Sequence, residues 1–221
     1  MIVDLNLKGK HVIVIGGGTE GVRKVKALLD QGCKITVISN RQNRFLREQE
    51  RLGKIATLKT TLRSPDVLKN FENPFLVLAA TNDKSLNRLL VEKGRSVGAF
   101  VYAADDPKVS DFSYASIINI DGIIQIAIST SGRSPIIARK LRIRAERLLR
   151  NLVKKSDIEN AKLQDFARQA ARPGIEETVD RKAFLYSLMK DSRIQNLIKA
   201  GRMEEAKNET LQLLHGWETK K

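Results

Sequence analysis

The stretch "VIVIGGGTEGVRK", residues 12–24, decides how the rest of the chain is read. Four apolar residues run into three glycines, and a segment with helical spacing follows. Gly16, Gly18 and Gly21 stand at G-x-G-x-x-G. In a strand–turn–helix setting the first glycine permits a tight turn. The second lets the backbone approach a diphosphate, and the third lets helix and strand pack closely. The start of the helix then offers free N–H groups and the positive end of its dipole to an anion. The spacing alone is common; directly after an apolar strand and opening a helix, it points to a dinucleotide site.

Working outward, residues 10–15 read as the strand and 19–30 as the helix, with Val22, Val25, Leu28 and Leu29 on one face and Gly32 ending it. "KITVIS" is a second strand with β-branched residues. An acid normally stands at the end of such a strand and holds the ribose hydroxyls. Here the place reads Ser39-Asn40-Arg41. Ser and Asn can bond a ribose and Arg41 suits a 2′-phosphate, so these residues leave NAD and NADP both open. "FLVLAAT", 75–81, is a further apolar strand, "NDKSLNRLLVEKG" a helix closed by Gly94, and "FVYAAD", 100–105, the next strand. Strands alternating with helices imply βαβ units and a parallel sheet covered on both faces.

The pattern changes after about residue 113. "SIINIDGIIQIAIST" is two strand-like runs around Asp121-Gly122, a dipeptide that suits a type I′ hairpin turn. An Ile-rich hairpin outside the parallel sheet leaves an exposed edge, so the expectation is pairing with another chain. Ser134-Pro135 supplies an N-cap and an N1 proline for a long basic helix. From residue 156 the chain reads as helical, with breaks at Pro173-Gly174 and Gly201.

Lys and Arg total 40 against 25 Asp and Glu, a formal charge of +15. Such a field favours polyanions: nucleic acid, a membrane surface, or a polycarboxylate or phosphate ligand. Residues 139–155 alone carry eight cations and one anion. They contain no aromatic residue, which argues against stacking on single-stranded nucleic acid. A membrane span needs about 20 consecutive apolar residues, and the sequence has no such run. The opening residues lack a secretory-signal pattern and the single cysteine, Cys33, excludes an internal disulfide, so a cytoplasmic location is expected. Cys33 itself reads as a small packing residue. His11 and His215 lie far apart with no cysteine or carboxylate pair beside them, so no metal site is expected.

Together these motifs resemble the precorrin-2 dehydrogenase family, the N-terminal modules of siroheme synthases and their stand-alone relatives. "LNLKGKHVIVIGGGTEGVRKVKALLDQGCKITVIS" is similar to the family's opening strand, glycine loop and following Arg-Lys. "LAATNDKSLN" resembles its A-T-(D/N)-(D/N) segment with a later Asn, "AADDPKVSDF" its V-D-x-P segment, and "AISTSGRSPIIARKLR" its S-(S/T)-x-G-x-S-P run. "RKAFLYSLMK" and "LIKAGRMEEAKNETLQLL" are similar to its small helical domain. The chain departs from the pattern at Tyr102, where Asn is usual, at Ala115, where Pro is usual, and at Gly21, which is more often Ala.

The resemblance implies an α/β fold. A Rossmann-type parallel-sheet domain would occupy residues 1–113, a dimerisation segment with the Ile-rich hairpin 114–150, and a small helical domain 151–221. It implies NAD-dependent oxidation of precorrin-2 to sirohydrochlorin by a homodimer, with ferrous ion chelation as a further step in some relatives. Asp105 matches the family's essential aspartate and falls at the C-terminal end of a sheet strand, where open α/β sheets bind ligands. A carboxylate there can take the proton lost as hydride leaves. Asp105 also has a plainer reading as a turn former before Asp106-Pro107; Asp106 is the weaker catalytic candidate. Cofactor contacts carry over to Gly16, Gly18, Thr19, Glu20, Asn40, Arg41, Thr81 and Asn82, the last two doubling as a helix N-cap. Ser129, Thr130, Ser131 and Gly132 precede a helix N-terminus and suit substrate carboxylates. Precorrin-2 is a tetrapyrrole polycarboxylate, which gives the basic charge a purpose. The rival reading is an NAD(H)-sensing module without catalysis, which would not depend on Asp105.

Overall fold

The computed structural model describes residues 2–218. The chain divides after Tyr114 into two compact units. In the first, β1 (His11–Ile15), α1 (Thr19–Leu28), β2 (Lys34–Ser39), α2 (Arg44–Arg51), β3 (Ala56–Lys59), β4 (Leu76–Ala79), α3 (Lys84–Ser96) and β5 (Phe100–Ala103) follow one another. The five strands form one parallel sheet in the order β3-β2-β1-β4-β5.

Successive strand side chains point to opposite faces, and β1 shows the result. Val12 and Val14 join Val22, Val25 and Leu28 of α1 in one core, whereas Ile13 and Ile15 join Leu86, Leu90 and Val91 of α3 in the other. A strand buried on both faces reads as a continuous apolar run, which is what VIVI and FLVLA are. Helix α3 runs through Gly94 to Ser96, so Gly94 does not close it. A Cβ there would lie 2.7 Å from Val101 Cγ1, and glycine is what lets α3 settle on β5. The cap of α3 is Asp83, whose carboxylate accepts from the Leu86 N–H at 3.0 Å, and not Thr81-Asn82. Cys33 is half-buried, its thiol donating to the Leu28 carbonyl.

The second unit begins with the antiparallel pair β6 (Ser116–Ile120) and β7 (Ile124–Ile128). Asp121 and Gly122 have φ of 52° and 71°, the signature of a I′ turn, closed by the Ile123 N–H on the Ile120 carbonyl. Five helices follow: α4 (Pro135–Leu152), α5 (Lys155–Ala171), α6 (Thr178–Lys190), α7 (Ser192–Lys199) and α8 (Met203–Glu218). Ser134 caps α4 by accepting from the Ile137 N–H at 3.2 Å, and Pro135 is its first residue. Ile118 and Ile120 of the hairpin pack with Ala145 and Leu149 of α4 and Ile158 of α5, so the segment after Tyr114 shares a unit with the helices. Leu163, Phe184, Leu188 and Ile194 centre the core of the helices that follow α4. No helix among the described residues is long and apolar enough to cross a membrane.

Candidate active site

In an open parallel sheet the ligand crevice lies beyond the strand C-termini, at the place where strand order reverses. Here that place is β1, with β2 and β3 on one side and β4 and β5 on the other. A cleft of about 280 Å³ occupies it. Its wall is Gly16–Gly18 after β1, Ser39 at the end of β2 and Asn40 after it, Thr60–Leu62 after β3 and Ala80–Asp83 after β4.

The glycines differ in what they touch. Gly16 has φ +114°, and a Cβ on it would collide with the Ala80 carbonyl and lie 3.1 Å from the Thr81 nitrogen. Cβ atoms at Gly17 and Gly21 would likewise meet protein, Ser39 and Arg41 in one case and the Gly16 backbone in the other. Gly18 is unlike them: φ is −77°, and nothing lies within 4 Å of its missing Cβ. The protein has no packing use for a glycine there, whereas a ligand lying on the loop does. Gly18 is also the N-cap of α1 and supplies no side-chain cap. The N–H groups of the first helical turn lack intrahelical acceptors, so the cradle fits a dinucleotide diphosphate.

This yields an outcome of opposite sign in fold and binding. Gly18→Asp gives α1 the cap it lacks, so the urea midpoint is expected to hold or rise. The same carboxylate occupies and repels the diphosphate position, weakening NAD⁺ binding at least about thirtyfold, roughly 2 kcal/mol. Unchanged affinity in titration calorimetry would place the dinucleotide elsewhere.

Asn40, Thr81 and Asn82 line the cleft with Gly16 and Gly18. Thr19 and Glu20 stand exposed in the first turn of α1, where Glu20 pairs with Arg23 at 2.6 Å. Arg41 is exposed and outside the lining; its backbone N–H donates to Ser39 Oγ at 3.1 Å. Ser129–Gly132 belong to the second unit, in a turn where Ser129 Oγ accepts from the Ser131 N–H and Thr130 Oγ1 from the Ser134 N–H. Ser131 and Gly132 both take positive φ there, 52° and 77°.

Asp105 follows β5 and is exposed, with Oδ1 accepting from Asn87 Nδ2 at 2.6 Å. Asn87, on α3, is only 1 % exposed and also bonds Thr81, so the carboxylate and the cleft edge share one partner. Asp106 has a structural occupation. It caps a short 3-10 turn by accepting from the Lys108 N–H at 3.0 Å and pairs with Arg88 at 3.3 Å, bonds that hold its carboxyl below the usual range. Asn87 is the later Asn of the LAATNDKSLN run; what the sequence did not show is its bond to Asp105.

A second cluster lies on the α1 face of the sheet. Lys24 is 2 % exposed, its ammonium 3.9 Å from the Tyr102 ring centroid and 3.3 Å from that of Tyr114. Tyr102 and Tyr114 meet edge to face at 5.1 Å, and Phe112 packs against both. Tyr102, the departure noted in sequence, is thus a wall of this cage. Burial pulls Lys24 down to about 7, with the neighbouring Arg23 charge adding and Glu20 opposing. The ring faces favour the charged form and oppose the fall as well. A lysine lowered in the folded state leaves the unfolded chain holding the extra proton between that value and the ordinary one. Stability therefore rises with pH through that window, by at most about 1.4 kcal/mol per pH unit. Lys24→Met is expected to flatten the rise, read as urea midpoints from about pH 7 to about pH 9. An equally steep rise in the variant would assign it to another group.

Fold and cleft together define a dinucleotide-binding α/β protein. The family model "Putative NAD(P)-binding" matches residues 3–116, and the chain belongs to that NAD(P)-binding family. A second model, "Sirohaem biosynthesis protein central", matches residues 121–146. The chain is 36% identical over 145 residues to a siroheme synthase of Nitrosococcus oceani, covering 66% of this chain and 30% of that protein. It is 32% identical over 204 residues to a siroheme synthase of Neisseria meningitidis serogroup C, covering 92% and 40%. The chain thus spans about two fifths or less of the curated relatives it matches. Among solved structures it is similar to "SirC, precorrin-2 dehydrogenase", with TM-score 0.67, 23% identity and coverage of 98% and 99%, a likeness of fold.

Proposed function

We propose that the chain oxidises precorrin-2 to sirohydrochlorin with NAD⁺, within siroheme biosynthesis in the cytoplasm. The observation that carries the reading is Asp105, held by a buried amide beside the glycine cleft at the C-terminal edge of the sheet. NAD⁺, when bound, supplies the hydride acceptor. The residues that would hold it are Gly16 and Gly18 with the first turn of α1 at the diphosphate, Thr19 and Glu20 beside it, Asn40 and Arg41 near the ribose, and Thr81 and Asn82 along the far wall. Asp105 takes the proton that leaves the substrate carbon skeleton, and Ser129–Gly132 meet substrate carboxylates. The names of the siroheme synthases and of the precorrin-2 dehydrogenase neighbour support the reading.

The chain acts in this proposal as a homodimer. On α4, Ile137, Leu141, Leu148 and Leu152 recur at helical spacing and are exposed, Leu148 to 71 %. An apolar stripe of this kind marks an association face, and a second copy presents the same stripe.

The test is anaerobic turnover of enzymatically generated precorrin-2 with NAD⁺, following sirohydrochlorin absorbance and NADH together. Equal appearance of both supports the dehydrogenase, and a parallel run with ferrous ion shows whether chelation follows. A folded chain that binds NAD⁺ and forms no sirohydrochlorin would leave the NAD(H)-sensing module as the better reading.

A further inference from the structure

We infer that Asn87 is a positioning residue for Asp105: its amide holds Oδ1, ties the carboxylate through that oxygen to the cleft edge at Thr81, and leaves Oδ2 as the proton acceptor. The inference rests on the reading of Asp105 given above.

The amide's orientation follows from donor and acceptor chemistry. A backbone N–H only donates, and the Thr81 N–H points at Asn87 Oδ1 at 3.1 Å. Thr81 Oγ1 donates to the same oxygen at 2.7 Å. The NH₂ group therefore faces the other way, where it meets two acceptors, the Thr81 carbonyl at 3.2 Å and Asp105 Oδ1 at 2.6 Å. A flipped amide would set oxygen against oxygen and N–H against N–H. With both halves engaged and the side chain buried, the group has one arrangement. Its bond to Asp105 is charge-assisted, the stronger class of hydrogen bond. Two charged residues close by in sequence are committed elsewhere: Arg88 pairs with Asp106, and Asp83 caps α3. Asn87 is thus the group that sets the direction in which Asp105 points.

A purely structural Asn87 would serve only to hold Thr81, and the two roles separate in one substitution. Asn87→Asp keeps an acceptor toward Thr81 and replaces the donor toward Asp105 by an oxygen. The expected result is a fall in kcat of about a hundredfold, the scale of cost of a misplaced catalytic group. KM for precorrin-2 and the Kd for NAD⁺ should stay within about threefold, since neither depends on the carboxylate's aim. If the added carboxylate prevents folding, Asn87→Ser carries the same comparison with a fall of at least about tenfold.

A second readout needs no turnover. In ¹⁵N spectra the Asn87 side-chain amide protons are expected to be exchange-protected and to move on Asp105→Ala. Amide signals indifferent to that change would overturn the inference. So would Asn87→Asp or Asn87→Ser turning over within about threefold of the native rate while Asp105→Asn is inactive. A native chain that forms no sirohydrochlorin fails the functional reading, and the inference falls with it.

Discussion

Asp105→Asn is expected to lower sirohydrochlorin formation by about 10²–10⁴-fold, the span of general-base contributions, while NAD⁺ still binds. The substitution keeps the shape of the side chain. Its carbonyl oxygen can still accept from Asn87 Nδ2, now 2.6 Å from Asp105 Oδ1, so the fold has no reason to fail. What disappears is an oxygen able to take a proton. NADH and sirohydrochlorin should fall together, because hydride and proton leave the same substrate. Asp106→Asn is the matched comparison. That carboxylate is committed to the Lys108 N–H and to Arg88, so its loss should cost a little stability and leave turnover within a fewfold. Similar losses in both variants would mean that the two carboxylates share the task; near-native turnover in Asp105→Asn would remove Asp105 from the chemistry.

Gly16→Ala is expected to be the most damaging single change in the first unit. Two independent penalties meet at this residue. Its φ of +114° is strained for any side chain, and the added methyl would press on the Ala80 carbonyl, 2.6 Å from its carbon. Neither neighbour can yield locally: the Gly16 N–H donates to the Ile38 carbonyl and the Ala80 N–H to the Ile15 carbonyl, so loop and sheet move together. A cost of about 3 kcal/mol or more follows from strain plus overpacking. NAD⁺ binding should be lost with it, because a loop displaced at Gly16 no longer aims the start of α1. Chemical denaturation and calorimetry on one preparation read both. A variant with native stability would show that the loop relaxes more freely than its hydrogen bonds imply.

What the sequence revealed follows the strength of local signals. β1, β2 and β4 are runs of residues buried on both faces, and such runs are visible without a structure; β5, at the sheet edge, buries only Val101 and Ala103 but is apolar throughout. β3, Ala56–Lys59, is an edge strand with no fully buried residue, and α2 buries only Leu46 and Gln49; neither stands out as apolar. The breaks before α5 and α7 carry no glycine or proline. Asp191 caps α7 through the Ile194 N–H at 3.0 Å, a signal lost in a polar segment. Gly94 misled because a glycine at a helix end and a glycine under a strand look alike in sequence. The loop Gly16–Gly21 and the carboxylate Asp105 were legible from motif and resemblance. Asn87 and Lys24 were legible as motif positions, the later Asn and the Lys of the Arg-Lys pair, but their partners were not, because Asp105 and the two tyrosine rings lie on other elements that only the fold brings near.

Gly16 rests on the end of β4, Gly17 on the end of β2, and Gly21 on Gly16 itself, so the curve of the backbone is held from three sides by protein alone. A ligand arriving there meets a shape already made. Little chain entropy is lost on association, and intrinsic contact energy reaches the observed affinity with small deduction. The Gly16 N–H, bonded to the Ile38 carbonyl, should accordingly exchange slowly before cofactor is added and change little afterwards, while the unbonded N–H groups of the first turn of α1 gain protection on binding. The cleft works as a mould rather than a clasp.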